Sequence, residues 1–219
     1  DNSLNWYNIN KIKTNNNLDF DVAIANADMR LLNKVNAKKK IVISYSLQSI
    51  EKFIRKGQLL SYFKERPTVY VIGDYHMKKR SNLISLFGKQ ILDISIDDLF
   101  IKTKLLDNID NNLAIFSSRP DRNLSILIEI WNNKIFPSYN LGKLLVTPSD
   151  KFEEINKIKF RKMGTHNELI KDLLKSRIFL VPGHKAELFC LAAEEARELC
   201  VPIVTLGIGS LSERVVHEK

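Results

Sequence analysis

The sequence has few of the features that mark secreted, metal-binding or membrane-spanning proteins. It contains only two cysteines among 219 residues, Cys190 and Cys200, and neither has a Cys or His neighbour at metal-ligand spacing. Both are therefore predicted to be free thiols in the core. No stretch approaches the roughly eighteen apolar residues of a membrane span, and no secretory signal is recognised. These absences favour a globular protein in a reducing compartment, which we expect to be the cytoplasm.

Basic residues outnumber acidic residues. Lys and Arg total 34 against 25 Asp and Glu, so the formal net charge is +9 at pH 7. Such a surplus fits nucleic acid, an anionic membrane surface or phosphorylated substrates. Lysines beside Asn and Ile are also typical of A/T-rich coding, which needs no partner. Lys38–Lys40 and Lys78–Arg80 are two basic patches, and no recognised nucleic-acid-binding motif accompanies them.

Short apolar runs alternate with stretches whose apolar residues recur at helical spacing. The predicted strands are 20–25, 40–46, 68–72, 91–96, 113–117, 143–147, 178–181 and 203–205. The predicted helices are 29–35, 47–65, 74–87, 123–131, 167–174 and 188–199. This alternation predicts βαβ units and parallel sheets. The polar segment 107–112 reads as a linker, so two α/β halves are predicted, residues 1–107 and 108–219.

Two arginines follow the first predicted strand of the second half. The segment 116–123, FSSRPDRN, places Arg119 and Arg122 after a strand and before a helix. Two guanidinium groups beside a helix N-terminus suit a phosphate group. The alternative is a solvated basic loop in which Asn123 caps the helix.

Two glutamates bracket the next helix start. The separation of Glu187 and Glu195 corresponds to about 12 Å along a helix, too far for both to act on one bond. Carboxylates accept hydrogen bonds from sugar hydroxyls, and free N–H groups at a helix start bind a diphosphate. The pair therefore fits a nucleotide-sugar. The alternative is that Glu195 belongs to the solvated face of the segment EEARE.

Two shorter segments complete the pattern. The sequence MGTH ends at His166, next to a predicted helix start. The alternative to a binding role is that this lone histidine beside a helix cap is structural. The segment 207–213, GIGSLSE, is a glycine-bearing loop that ends at Glu213. The acidic runs Asp97-Asp98 and Glu153-Glu154 lie outside these segments.

Taken together, the segments resemble the C-terminal signature of GT-B glycosyltransferases, particularly retaining family 4. The resemblance rests on the E-x7-E spacing of Glu187 and Glu195, the strand VPIV at 201–204 and the loop that ends at Glu213. Arg119 and Arg122 resemble the Arg…Lys element of that family, with Arg122 at the Lys position. In the first half, YSLQSIE at 45–51 is similar to a segment of rhamnosyltransferase-like members.

The resemblance implies an α/β fold of two Rossmann-like parallel-sheet halves of GT-B type. Residues 1–107 would form the acceptor-side domain and 108–219 the nucleotide-sugar-binding domain. Glu187 would contact donor-sugar hydroxyls, while Arg119 and Arg122 would neutralise the diphosphate. The further donor-binding residues implied are Glu195 at the ribose, Leu188, Phe189 and Cys190 through backbone amides, Gly164 and His166 near the base, and Glu213. Gln48 and Glu51 would lie on the acceptor side.

The implied activity is transfer of a sugar from a nucleotide-sugar to a glycan or lipid-linked acceptor, as in polysaccharide biosynthesis. The resemblance implies retention of configuration. No cofactor and no metal are expected, and no Asp-x-Asp motif lies in the matching segments. The basic patches suggest weak attachment to the inner face of the membrane. Two alternatives stay open: an inactive GT-B-like protein that binds a nucleotide or glycan, and a basic nucleic-acid-binding α/β protein. No specific nucleic acid is expected.

The sequence departs from the family pattern at three glycines. Leu188, Cys190 and Ser210 stand where the family has glycine. If positive φ is required at these positions, the backbone of a residue that has a Cβ is strained. The chain is also shorter than whole GT-B enzymes, so it is predicted to be incomplete at both ends.

Overall fold

The computed structural model describes residues 19–46, 50–105, 108–150 and 154–215. The chain forms two compact units, Asp1–Asp93 and Ile94–Lys219. The division falls before residue 108 because the helix Asp98–Lys102 buries Phe100 in the core of the second unit. Gln48 lies outside the described residues.

The first unit is a four-stranded parallel sheet in the order β1-β2-β3-β4. The described strands are β1 (Asp19–Asn26), β2 (Asn36–Ile43), β3 (Thr68–Val71) and β4 (Lys89–Ile91). The helices are α1 (Ile50–Arg55), α2 (Gln58–Glu65) and α3 (Asp74–Lys79), with 3-10 turns at Met29–Lys34 and Asn82–Ser85. The predicted alternation of strands and helices is therefore confirmed for this unit.

Two predicted helices of the first unit are each interrupted. The predicted helix 47–65 divides at Gly57, which has φ 65° and stands at the N-cap of α2. Left-handed backbone of this kind is readily adopted by glycine and ends a helix. The predicted helix 74–87 ends at Lys79 because Arg80 has extended backbone, with φ −78° and ψ 140°.

The second unit is a six-stranded sheet in the order β10-β9-β5-β6-β8-β7. The described strands are β5 (Asp110–Phe116), β6 (Lys143–Val146), β7 (Glu154–Ile155), β8 (Ile158–Phe160), β9 (Ser176–Leu180) and β10 (Ile203–Val204). The helices are α4 (Asp98–Lys102), α5 (Leu124–Ile130), α6 (Phe136–Ser138), α7 (His166–Lys175), α8 (Leu191–Glu198) and α9 (Leu211–Arg214), and a π-helical turn, Trp131–Ile135, joins α5 to α6.

Every strand pair of this sheet is parallel except β7 with β8. These two strands form a hairpin whose turn residues, Asn156 and Lys157, both have positive φ. Two successive positive φ values are typical of a tight hairpin turn. This hairpin was not predicted, and residues 110–112, which were predicted to belong to a linker, begin β5.

Side chains of the central strands alternate between two buried layers. Ile115, Leu145 and Phe179 pack on one face with apolar residues of α7 and α8. Phe116 and Val146 pack on the other face with α5 and Trp131. A strand buried on both faces reads as a continuous apolar run, which explains why these strands were predictable.

The two cysteines differ in their surroundings. Both thiols are free, but Cys190 is buried whereas Cys200 is exposed. The prediction of a core thiol is therefore wrong for Cys200, which follows the end of α8 with φ 57°. Its position in the turn, rather than in a helix face, takes its side chain out of the core.

Among the residues that the structure describes, no helix is both long and apolar enough to cross a membrane. In the same ranges, no three His, Cys, Asp or Glu side chains gather in a way that could hold a metal ion.

Candidate functional site

Three of the predicted site residues, Arg119, Arg122 and Glu187, lie where the order of the second sheet reverses. From β5 the chain proceeds to β6 on one side and later returns to β9 on the other side. In open α/β sheets, ligands bind outside the carboxyl ends of strands at such a switch point. The loop 117–123 leaves β5 here, and the loop 181–190 leaves β9 beside it.

Arg122 and Glu187 face each other across these two loops. Nε of Arg122 lies 3.8 Å from Oε1 of Glu187, and their side chains are only 15% and 8% exposed. Nη1 of Arg122 lies 3.3 Å from Nδ1 of His184. The structure thus brings together two predicted residues and adds His184, which the sequence analysis did not single out.

Arg119 lies at the outer end of a row of alternating charges. Its guanidinium contacts Asp121 at 2.5 Å, and Oδ1 of Asp121 lies 3.9 Å from Nε of Arg122. Arg119 is 69% exposed, unlike Arg122. The hydrogen bond from Arg119 holds the pKa of Asp121 below its ordinary value. Among the described residues, Arg119 therefore reaches the cluster through Asp121.

Asn123 does not cap α5 in the way that its position suggests. It stands at the N-cap with φ 65°, and its side chain makes no capping hydrogen bond. Instead its Nδ2 donates to the carbonyl oxygen of Gly183 at 2.6 Å. This bond fastens the loop after β5 to the loop after β9.

Glu187 is a buried carboxylate with unused hydrogen-bonding capacity. Its Oε2 is buried and has no hydrogen-bond partner among the described residues. Burial raises the pKa of Glu187, while the charge of Arg122 and a hydrogen bond from Cys190 act in the opposite direction. Burial, with the nearby charge of Glu187, also raises the pKa of the Cys190 thiol to about 12. A buried acceptor without a partner calls for an explanation such as a ligand or solvent.

The glycine loop packs directly beneath this cluster. Gly209 has φ 74°, and a Cβ at this residue would lie well under 3.0 Å from the carbonyl oxygen of His184. The N–H of Ser210 donates to the carbonyl oxygen of Glu187 at 3.0 Å. The loop that follows β10 therefore supports the backbone of the residues that form the site.

The three departures from the family glycines produce no backbone strain. Leu188 and Cys190 have no positive φ, and Cys190 has φ −94°. Ser210 has φ −64°. The side chains of Leu188 and Cys190 are buried. Because Cys190 is not helical, α8 begins at Leu191, later than the predicted start at residue 188.

Glu195 lies near a second cluster, which includes His166. Nδ1 of His166 lies 3.1 Å from Oδ2 of Asp97. Burial raises the pKa of Glu195, whereas His166 lowers it and Asp97 raises it. Asp97, which lies outside the matching motifs of the sequence, therefore lies close to both His166 and Glu195.

Gly164 precedes α7 in a confined position. A Cβ here would lie 2.6 Å from Oε2 of Glu168 and 2.7 Å from Nη1 of Arg161. The same Glu168 forms a capping box with Thr165 at the start of α7. Glycine at this position lets the chain pass close to the cap.

Phe189 and Glu213 are tied to the end of the glycine loop. The guanidinium of Arg214 stacks 3.7 Å above the ring of Phe189. Nη1 of Arg214 donates to Oε1 of Glu194 at 2.9 Å. Glu213 itself is half-buried within α9. These contacts hold the last turn of the loop against the start of α8.

The acceptor-side prediction concerns the first unit. Glu51 lies exposed on α1, and Gln48 is outside the described residues. In the second unit, a cavity of about 230 Å³ lies at the amino-terminal ends of β5 and β9, lined by Trp131, Ile178 and Leu180 among others. No predicted site residue lines this cavity, so it is separate from the candidate site.

No protein-family model matches the chain, and no curated protein matches it. Solved structures do match. Sucrose-phosphate synthase from Thermosynechococcus elongatus gives a TM-score of 0.65 at 14% identity, covering 90% of this chain and 58% of that chain. A TarM mutant from S. aureus, in complex with fondaparinux, alpha-GlcNAc-glycerol and UDP, gives a TM-score of 0.67 at 15% identity. This match covers 90% of this chain and 44% of that chain.

A third match is an alpha-glucosyltransferase in complex with UDP and DNA. It gives a TM-score of 0.59 at 10% identity, covering 84% of this chain and 59% of that chain. The fold is that of GT-B glycosyltransferases. The predicted pair of parallel-sheet halves is thereby confirmed, and the placement in family 4 stays a prediction. The chain spans about half the length of these solved structures.

Proposed function

We propose that the protein is a glycosyltransferase that takes a sugar from a nucleotide-sugar and transfers it to a glycan or lipid-linked acceptor. The observation on which the proposal rests is the Arg122–Glu187 pair at the switch point of the second sheet. Oε2 of Glu187 is buried there and has no hydrogen-bond partner among the described residues. The fold supports the proposal, and two of the similar structures are complexes with UDP.

Arg122 is the residue to which we assign stabilisation of the leaving group. When the bond between the sugar and the diphosphate breaks, negative charge grows on the diphosphate oxygens. A fixed guanidinium that is largely withdrawn from water stabilises this charge more than one in bulk solvent. Arg119, more exposed and bound to Asp121, adds positive charge at longer range.

Glu187 is assigned to the donor sugar. Its unpartnered Oε2 accepts a hydrogen bond from a sugar hydroxyl, which ends the unfavourable isolation of that oxygen. Backbone N–H groups near Leu188, Phe189 and Cys190, ahead of α8, supply further donors for the diphosphate.

The second cluster is assigned to the nucleoside part of the donor. Glu195 accepts hydrogen bonds from the ribose hydroxyls, and Gly164 and His166 lie near the base. Glu213 supports the glycine loop beneath the donor. Glu187 precedes α8 and Glu195 lies within it, so the two carboxylates are assigned to the opposite ends of a ligand that has hydroxyl groups at both ends and a diphosphate between them.

Several finer features of the reaction belong to the same proposal. Retention of configuration, and catalysis without a metal or other cofactor, rest on the resemblance to family 4. A role in polysaccharide biosynthesis, a cytoplasmic location and weak attachment to an anionic membrane rest on the resemblance and on the basic patches. Gln48 and Glu51 are proposed for the acceptor side.

The alternatives have less support from the geometry. The case for an inactive binding protein depended on the lost glycines and on the short chain, and of these the glycine argument weakens because Cys190 and Ser210 have ordinary φ values. The case for a nucleic-acid-binding protein depends on the net charge and on the basic patches Lys38–Lys40 and Lys78–Arg80, and no recognised binding motif accompanies them. A steep salt dependence of binding to arbitrary DNA would favour that alternative.

The test is donor binding and turnover with UDP-, GDP- and dTDP-sugars. We expect the wild type to bind a nucleoside diphosphate and to transfer or hydrolyse at least one sugar donor. Glu195→Ala should weaken donor binding, whereas Arg122→Ala should lower turnover by about 100-fold and affect binding less. Glu198→Ala, an exposed carboxylate on the same helix, is the matched control. Wild-type turnover in the Arg122 and Glu195 variants contradicts the assignment of these residues.

A further inference from the structure

Nδ1 of His184 accepts hydrogen bonds from two N–H groups. The backbone N–H of Ala186 donates to Nδ1 at 3.1 Å, and Nη1 of Arg122 lies 3.3 Å from the same atom. A backbone amide and a guanidinium are donors only, so Nδ1 must carry a lone pair. The ring proton of the neutral imidazole is therefore on Nε2.

This contact fixes the second side of Arg122. Nε of Arg122 faces Glu187 and Asp121, at 3.8 Å and 3.9 Å, while Nη1 is held by His184. Within the described part of the chain, Nη2 of Arg122 donates no hydrogen bond. The arrangement orients the guanidinium and leaves its remaining N–H groups for a phosphate oxygen.

The backbone of His184 is itself held in place. Its carbonyl oxygen accepts the N–H of Glu187 at 2.9 Å. Gly209 packs against the same carbonyl group so closely that a Cβ could not be accommodated. The preceding residue, Gly183, is bound by the side chain of Asn123 at 2.6 Å. A residue fixed at both backbone and side chain is suited to orienting a neighbour.

We propose that His184 is a positioning residue that aligns Arg122 with the leaving diphosphate. The proposal rests on the proposed function. Without the Nδ1 acceptor, the guanidinium turns toward the carboxylates of Glu187 and Asp121, and its alignment with the diphosphate is lost. Misplacement of a catalytic group by about 1 Å lowers turnover by as much as 100-fold.

The test compares His184→Ala with His184→Asn in the full chain. Oδ1 of Asn can replace the Nδ1 acceptor, because it stands at the same distance along the side chain. We expect His184→Ala to lower kcat by about 10- to 100-fold with little change in KM, and His184→Asn to recover most of that loss. Thermal unfolding of the variants is the check on folding, and both should melt close to the wild type.

A double-mutant cycle with Arg122→Ala separates positioning from direct contact with the donor. If His184 acts through Arg122, His184→Ala has no further effect on kcat once Arg122 is absent. The proposal is overturned if the losses of kcat caused by His184→Ala and Arg122→Ala multiply in the double variant. It is also overturned if His184→Asn fails to recover turnover, or if His184→Ala has the turnover of the wild type. If the wild type binds neither UDP nor GDP, the proposed function itself fails, which is a different result from unchanged turnover in the variants.

A readout independent of activity is the ¹⁵N spectrum of the His184 ring. We expect a proton on Nε2, an unprotonated Nδ1, and a shift of the Nδ1 resonance in Arg122→Ala. A proton on Nδ1, or an unchanged resonance in the variant, overturns the contact on which the proposal depends.

Discussion

Nε of Arg122 and Oε1 of Glu187 face each other at 3.8 Å, from loops that follow neighbouring strands. At this distance the two groups attract each other but make no close hydrogen bond. Both are largely buried, so each lowers the free-energy cost of burying the other. The loose pairing leaves hydrogen-bonding capacity on both groups, as a site that receives a ligand between them requires.

Replacing Glu187 by Gln should raise stability while it lowers turnover. Burial raises the pKa of Glu187 above its value in the unfolded chain, so the ionised carboxylate opposes folding. The protonated carboxyl group of Glu187 does not oppose folding in this way. The stability of the wild type is therefore higher at low pH and falls as pH rises through the folded pKa of Glu187. The advantage of Glu187→Gln in Tm should therefore be larger near pH 7 than near pH 4, and turnover should fall by about 100-fold.

Glu198→Gln is the control for this prediction, since Glu198 is exposed on α8. It should change neither Tm nor turnover. A Glu187→Gln variant whose Tm falls relative to the wild type at neutral pH would show that the carboxylate charge stabilises the fold.

Gly209→Ala should disrupt the site much more than Gly207→Ala. Both glycines have positive φ, 74° and 65°, so each substitution strains the backbone by about 1 kcal/mol. At Gly207, a Cβ meets nothing within 4 Å, whereas at Gly209 it collides with the carbonyl oxygen of His184. Gly209→Ala should thus weaken nucleotide binding as well as stability. Titration with UDP and GDP tests the difference, and equal effects of the two variants contradict it.

Much of this fold was predictable from local patterns. The runs 113–117 and 143–147 are apolar because their residues are buried on both faces of the sheet, and they emerge as β5 and β6. Breaks inside longer helical patterns were not predicted. The helix 47–65 divides at Gly57 because its backbone is left-handed there, which apolar spacing does not reveal.

The site was predictable in its parts but not in its pairings. Arg122 and Glu187 stood out because each lies in a segment with a recognisable order of residue types. His184 did not, since a lysine-flanked histidine in a loop carries no periodic signal. Its contact with Arg122 arises only because the sheet order places β5 beside β9. Asp97 was missed for the same reason, because it reaches His166 through tertiary packing.

The first unit should lose stability in mild acid because of His76. This histidine is fully buried, and burial, with the nearby charge of Arg80, lowers its pKa to about 4. The unfolded chain takes up the proton at about pH 6.5, so stability is present above that pH and is lost as pH falls toward 4. The loss amounts to about 3 kcal/mol at most.

His76→Gln isolates this effect from other titrating groups. The variant should be less stable than the wild type near pH 7, because the N–H of Ile72 and the carbonyl oxygen of Ser46 lose their partner. Its stability should then depend less on pH between about 6.5 and 4. Thermal unfolding at several pH values measures the difference, and parallel curves for the two proteins contradict the assignment to His76.

Glu194→Ala should destabilise the end of the glycine loop more than Arg197→Ala. Glu194 is 8% exposed and pairs with two arginines, Arg197 on its own helix and Arg214 beyond the loop. Removing the carboxylate leaves Arg214, only 17% exposed, without this partner, at a cost of about 2–3 kcal/mol. Arg197 is 63% exposed, so its removal should cost less than about 1 kcal/mol. Urea unfolding of both variants tests the order. If Arg197→Ala is the less stable variant, the important contact of Glu194 is the one within α8.

The guanidinium of Arg214 also covers the ring of Phe189. Glu194→Ala should therefore increase the accessibility of that ring.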